Sequence, residues 1–83
     1  SSNIDVETEN DIMREIHKLA ETKTVILISH RLVNVAGADR IYVLESGAVT
    51  ESGSHEALLL NGGLYAKLWT AQQSLENYGK EAV

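Results

Sequence analysis

One histidine of this chain stands where a ligand-binding or catalytic side chain could be placed. His30 directly follows the apolar run TVILIS at residues 24–29. A short, β-branched apolar run without alternation is typical of a buried strand in a parallel sheet, and ligands bind beyond the carboxyl ends of such strands. An imidazole there can donate a hydrogen bond to a phosphate oxygen or to water, or transfer a proton near neutral pH. The alternative is a histidine that only bonds a backbone carbonyl at the strand end, and its position alone does not decide between the two.

The other polar side chains offer weaker candidates. His17 lies in the middle of a predicted helix and His55 directly follows the capping residue Ser54, so both are interpreted as structural. Glu45 ends the apolar run IYVLE but opens a predicted turn, which favours a solvated residue. No histidines or carboxylates have the spacing of a metal site, so we predict none. There is no G-x-x-x-x-G-K-S/T phosphate loop, and Ser29 beside His30 does not make a catalytic triad.

Length and composition exclude several classes of protein. The chain has 83 residues, which is one domain or less, and no cysteine. Its net charge of −5 disfavours a nucleic-acid partner, because such binding requires basic side chains that neutralise phosphates. No apolar stretch approaches the roughly 20 residues that span a bilayer, so we expect this segment to be soluble. The chain does not open with methionine, and we expect it to be a piece of a longer protein.

The first half of the chain alternates a helix with a strand. Apolar residues at a spacing of three and four predict a helix from Asp5, its N-cap, to about Thr22, with one face packed. The predicted strand 24–29 follows, and a short helical turn over 31–36 ends at Gly37. A helix that leads into a parallel strand is typical of βαβ units, so a neighbouring strand is expected before residue 1.

The second half predicts a hairpin and two helices. Strands over 40–45 and 48–51 are joined at Ser46 and Gly47, a turn-forming pair. Ser54 caps a helix to about Leu60, which the residues Asn61, Gly62 and Gly63 end. A last helix is predicted over 64–75, followed by a disordered tail over 76–83. Residues 1–75 are therefore expected to form the folded portion.

Several stretches together resemble one family. In chain order they are SNID at residues 2–5, TVILISHRL at 24–32, ADRIYVLESGAVTESGSHEALL at 38–59 and GGLYAKLWTAQ at 62–72. This ordered set resembles the C-terminal third of the ATP-binding cassette of ABC transporters, in the exporter-type branch, over about residues 1–73. The C-terminal residues are similar to the exporter group associated with cytochrome bd assembly. The resemblance implies an α/β fold, the C-terminal part of a P-loop NTPase fold, with an incomplete sheet.

The resemblance also implies roles for two groups of residues. His30 resembles the switch histidine of the H-loop, which hydrogen-bonds the ATP γ-phosphate and helps to position the attacking water. A segment at the N-terminus resembles the D-loop, which lies at the interface between two cassettes; its residues are Ser2, Asn3, Ile4 and Asp5. The phosphate loop, the Q-loop, the signature motif, the adenine-stacking aromatic residue, the magnesium-holding Asp and the catalytic Glu would all precede Ser1.

The implied function belongs to the intact protein. It would bind and hydrolyse ATP with Mg²⁺ at sites between two nucleotide-binding domains, in a homo- or heterodimer, and so drive export through a transmembrane domain. The cassette would lie at the cytoplasmic face of the plasma (inner) membrane. The fragment alone is expected to be catalytically inactive, to bind ATP and Mg²⁺ weakly or not at all, and to be poorly stable or to associate through its strand edges.

A function of another class is the alternative. The chain could be a small stand-alone α/β module that binds a protein partner through an exposed aromatic surface at Tyr65 and Trp69. Because Leu64, Leu68 and Trp69 have helical spacing, packing of this face in a core is the simpler interpretation.

Overall fold

The structure, a computed structural model, describes residues 5–81. It contains a helix, an extended segment, a β-hairpin and two further helices, and it confirms the predicted α/β class. The elements in chain order are α1 (Val6–Ala20), a 3₁₀ turn (Leu32–Asn34), β1 (Ile41–Glu45), β2 (Ala48–Gly53), α2 (His55–Asn61) and α3 (Leu64–Glu81). Within the described residues, no helix is both long enough and apolar enough to cross a membrane.

Helix α1 begins at the predicted cap. The Asp5 side chain accepts a hydrogen bond of 2.7 Å from the backbone N–H of Thr8, which satisfies one of the donors that a helix N-terminus leaves free. Glu7 and Glu9 add negative charge to the first turn, where the helix dipole favours it.

The apolar stripe of α1 is only partly covered, in contrast to the predicted packed face. Met13 and Ile16 are half-buried, whereas Ile12 and Leu19 are exposed, and no residue of the helix is fully buried. The helical periodicity was therefore predicted correctly. What the described residues lack is a surface that covers the whole stripe.

The predicted strand 24–29 is the main correction. The segment forms neither a helix nor a paired strand, because the described sheet consists of β1 and β2 alone. A strand is defined by hydrogen bonds to a neighbour, and the described residues offer this segment none. Its side chains alternate: Val25 and Leu27 are half-buried, while Ile26 and Ile28 are 88% and 91% exposed. One side of the segment is thus partly covered by neighbouring residues, and the other side is exposed.

The hairpin forms where the sequence predicts it. Strands β1 and β2 pair antiparallel, with Glu45 opposite Ala48 across a two-residue turn. Both turn residues have positive φ, 50° at Ser46 and 81° at Gly47, which is the geometry that matches the right-handed twist of the strands. Glu45 accepts a bond from the Thr50 hydroxyl at 2.6 Å, as expected of a residue at a solvated turn.

The core lies between the hairpin and the two C-terminal helices. It consists of four buried side chains, which are Leu32, Ile41, Leu58 and Tyr65. Partly buried apolar residues pack against this cluster, and they are Val35, Val43, Leu59 and Trp69. The core therefore draws on the elements after the extended segment and on none of the residues of α1.

Strand β2 fixes the start of α3 through one carboxylate. Glu51 accepts bonds of 3.1 Å from the side-chain amide of Asn61 and from the backbone N–H of Tyr65, so it caps α3 from outside the helix. Gly63 makes room for it, because a Cβ at this position would lie 2.8 Å from a carboxylate oxygen of Glu51. The neighbouring Gly62 ends α2 with a left-handed φ of 69°.

Helix α3 runs farther than predicted. Residues 76–81 continue it to Glu81, although the sequence patterning predicts a disordered tail over 76–83; residues 82 and 83 lie outside the described part of the chain. This stretch contains no proline, and a single glycine lowers helix propensity by only about 1 kcal/mol, which does not end a helix that has already started.

We expect the isolated chain to self-associate through the uncovered face at Ile26 and Ile28, because an unpaired apolar strand offers both apolar surface and free backbone groups. Sedimentation velocity at micromolar concentration should show oligomers for the unmodified chain and a shift toward monomer for the Ile26→Lys, Ile28→Lys double variant. The matched control is Leu60→Lys, since Leu60 is 90% exposed but lies on helix α2. If Leu60→Lys shifted the oligomers toward monomer to the same extent, association through Ile26 and Ile28 would be contradicted.

Candidate functional site

His30 lies at the end of the extended segment with its side chain exposed. No hydrogen bond to its imidazole is found within the described residues, so it does not cap the strand end through its ring. The residues around His30 make three separate contacts, two through the backbone and one through the Arg31 side chain.

The first contact is local. The Ser29 hydroxyl accepts a bond of 3.1 Å from the backbone N–H of Arg31 and donates one of 3.2 Å to the Arg31 carbonyl. A serine side chain that bonds the backbone two residues ahead fixes a tight turn. His30 is the middle residue of this turn, so the turn sets the direction in which its side chain leaves the backbone.

The second contact joins the turn to α1. The Arg31 guanidinium forms an ion pair with the Glu9 carboxylate across 22 positions of the chain. Both side chains are partly covered, at 31% and 22% exposure, so this pair is less screened by water than a fully exposed one. The bond from Arg31 lowers the pKa of Glu9 below its ordinary value, and Asn34 acts weakly in the same direction.

The third contact comes from α3. The Gln72 side-chain amide accepts a bond of 2.9 Å from the backbone N–H of Leu32 and donates one of 2.9 Å to the carbonyl of His30. An open groove of about 310 Å³ lies beside these bonds, lined by His30, Arg31, Gln72 and Leu75. Gln72 ends the stretch 62–72 that carries the family resemblance, but no role was predicted for it. The available signal was that it stands seven residues after Tyr65, two helical turns farther along the same face.

The predicted D-loop residues are only partly observed. Ser2, Asn3 and Ile4 lie outside the described residues, so their roles stay predictions. Asp5 caps α1 one helical turn before Glu9, and the Thr8 N–H that it binds lowers its pKa. Because Glu9 contacts Arg31, the start of α1 lies against the His30 turn. The structure thus brings the end of the predicted D-loop and the predicted switch histidine to one end of the molecule.

The aromatic surface required by the alternative function is not exposed. Tyr65 is 1% exposed and Trp69 packs against the core. The Tyr65 hydroxyl and His55 Nδ1 share a hydrogen bond of 2.8 Å, and the His55 ring meets the Trp69 ring edge-on at 4.5 Å. Burial raises the pKa of Tyr65, and the charge of Glu56 adds to this. His55 is therefore structural, as predicted, and these residues offer a partner no aromatic patch.

The donor set at His30 fits one phosphate contact. An exposed imidazole with no competing bond can donate to an anionic oxygen, and the groove beside it is open on the same side. Residues 5–81 contain no group of three or more His, Cys, Asp or Glu side chains that could hold a metal ion.

Comparison with known proteins identifies the class. No protein-family model matches the chain. It is 45% identical over 74 residues to ATP-binding cassette sub-family B member 6 of Xenopus tropicalis, which covers 89% of this chain and 9% of that protein. It is 50% identical over 72 residues to the cyclolysin secretion/processing ATP-binding protein CyaB of Bordetella pertussis, covering 87% of this chain and 10% of the relative.

A solved structure gives the same answer. A bacterial Atm1-family ABC exporter with ATP bound superposes with a TM-score of 0.81 and is 43% identical, over 87% of this chain and 13% of the other. The fold is that of the C-terminal part of an ABC exporter ATP-binding domain. Over most of its length the chain is similar to ABC exporter ATP-binding proteins, and it spans about a tenth of the length of the curated relatives named above.

We expect the contacts that hold the start of α1 to weaken in acid. The pKa values of Asp5 and Glu9 are both lowered by folding, so their contributions are complete above about pH 4.3, the ordinary Glu value, and are lost as pH falls through the lowered values. Circular dichroism of the chain between pH 6 and 2 should show helix loss in the acid part of this range.

The matched variant is the Asp5→Asn, Glu9→Gln double substitution. Asparagine is also a good N-cap but does not titrate, so the variant should have a flatter acid transition. An equally steep transition in both chains would mean that these two carboxylates do not determine the acid sensitivity.

Proposed function

We propose that the intact protein hydrolyses ATP to drive export across a membrane, with His30 as a contact to the ATP γ-phosphate. The observation that carries this proposal is the exposed imidazole of His30 on a backbone turn fixed by Ser29, Glu9 and Gln72. A side chain held in this way keeps its ring nitrogens for a ligand while its position is determined by the fold. The similarity to ABC exporters over most of the chain supports ATP as that ligand.

The chemistry of His30 follows from its surroundings. Phosphoryl transfer to water depends on positioning and on stabilising the charge that develops on the phosphate oxygens. The imidazole can donate a hydrogen bond to a γ-phosphate oxygen and help to orient the attacking water. Bound ATP supplies the scissile phosphoanhydride bond. This chain supplies one fixed donor; the phosphate loop, the magnesium ligands and the catalytic carboxylate are proposed to come from the part of the protein before Ser1.

The remaining parts of the proposal concern partners and location. The complete site is proposed to form between two nucleotide-binding domains, and the segment of Ser2, Asn3, Ile4 and Asp5 to lie at their interface. A transmembrane domain would place the cassette at the cytoplasmic face of the inner membrane. Within the exporter branch, the group associated with cytochrome bd assembly is favoured only by the resemblance of the C-terminal residues. The uncovered face at Ile26 and Ile28 supports the view that further strands of the same sheet come from elsewhere in the protein.

In the full-length protein, His30→Ala should lower kcat for ATP hydrolysis by about 10²-fold, the usual loss when one charge-stabilising donor is removed. KM for ATP should change little, because most of the binding contacts lie elsewhere. The matched control is His17→Ala, since His17 is an exposed histidine on α1. If His30→Ala retained steady-state hydrolysis at the level of this control, the assigned role of His30 would be wrong.

The upstream reading frame provides a second test. A G-x-x-x-x-G-K-S/T phosphate loop and a strand ending in an acidic pair should be encoded before Ser1, because the site needs these groups. Sequencing the gene on the 5′ side checks this. An upstream reading frame that encodes neither feature would contradict the proposal.

A further inference from the structure

The amide of Gln72 bonds the backbone on both sides of Arg31. Its oxygen accepts from the N–H of Leu32 and its nitrogen donates to the carbonyl of His30, each at 2.9 Å. We name this pair of bonds the Gln72 bridge. A side chain needs one acceptor and one donor in a planar group to form it, which glutamine has and which glutamate or leucine lacks. The residue type is therefore specific for the observed contact.

The bridge acts on His30 more directly than the other two contacts do. Ser29 and Glu9 bond Arg31, whereas Gln72 bonds the carbonyl of His30 itself. Through it, the position of the imidazole is tied to helix α3, which is anchored in the core by Tyr65 two turns earlier. Tyr65 and Gln72 lie on the same face of the helix, so the buried ring and the bridge act on α3 from one side.

We propose that Gln72 is a positioning residue for ATP hydrolysis, which holds the His30 backbone so that the imidazole meets the γ-phosphate. The inference rests on the function proposed for His30. Gln72 does not touch the nucleotide: it fixes the peptide from which the histidine side chain projects. Because misplacement of a catalytic contact by about 1 Å can reduce a rate 10²-fold, two backbone hydrogen bonds at this place can have a large kinetic effect.

The test uses the full-length protein and steady-state ATP hydrolysis. Gln72→Leu removes both bonds and should lower kcat about 5- to 50-fold, with KM for ATP within about twofold of the unmodified protein. Gln72→Glu keeps the acceptor for Leu32 but loses the donor to His30, so its kcat should fall between those of the unmodified protein and Gln72→Leu. The matched control, Gln73→Leu, replaces the neighbouring half-buried glutamine and should leave both constants unchanged.

A double-mutant cycle separates positioning from a general structural effect. If Gln72 acts through His30, the Gln72→Leu, His30→Ala double variant should have the same kcat as His30→Ala alone. A further loss in the double variant, equal to the loss caused by Gln72→Leu alone, would overturn the inference. If Gln72→Leu prevents folding, the same comparison of kcat values is made with the near-isosteric Gln72→Glu in its place.

The cycle also distinguishes the two proposals. A loss in His30→Ala together with full activity in both Gln72 variants would overturn the positioning role and leave the function of His30 intact. Full activity in His30→Ala would overturn the proposed function and, with it, this inference. If Gln72→Leu lowers kcat in the otherwise unmodified protein but not in the His30→Ala variant, both proposals are supported.

Discussion

The burial of Tyr65 is the interaction on which the rest of this structure depends. Its ring fills the space between the hairpin and the two C-terminal helices, and its hydroxyl shares a bond with His55 on α2. Its backbone N–H donates a hydrogen bond to the Glu51 carboxylate of β2. One residue thus connects three elements through packing, a side-chain bond and a helix cap. The orientation of α3, and with it the place of Gln72, follows from these contacts.

The site shows how a small core can fix a distant side chain. Tyr65 anchors α3 in the core, and Gln72 on the same helix donates a hydrogen bond to the His30 carbonyl. A second path runs from the Asp5 cap along α1 to Glu9 and Arg31. Both sets of contacts reach the same turn, Gln72 through the His30 carbonyl and Glu9 through the Arg31 side chain. The imidazole at that turn is exposed.

Features that local chemistry determines could be predicted from the sequence. The turn at Gly47, the Asp5 and Ser54 caps and the left-handed stop at Gly62 each require particular residue types, so their positions follow from composition and spacing. Position also singled out His30. The resemblance to ABC exporters favours the ligand-binding interpretation of His30, which stays a prediction, and the relatives show the similarity to these exporters over most of the chain.

Features that depend on distant partners could not be predicted from this sequence. The segment 24–29 has strand composition, but pairing requires a neighbour, and periodicity says nothing about whether the same chain provides one. The Gln72 bridge joins residues 40 and 42 positions apart, and neither of the two adjacent glutamines, 72 and 73, carries a local signal of a distant backbone partner. The end of α3 was missed for another reason: weak helical patterning in a terminal segment resembles that of an unstructured tail.

The adjacent glycines 62 and 63 are constrained for different physical reasons. At Gly62 the constraint is angular, since the backbone adopts a conformation that asparagine also tolerates. At Gly63 it is volumetric, because the Glu51 carboxylate occupies the place of a side chain. Asparagine at position 62 would need no neighbour to move, whereas asparagine at position 63 would displace the Glu51 carboxylate from its hydrogen bond with Tyr65. The spacing between α2 and α3 thus depends on a carboxylate supplied by the hairpin.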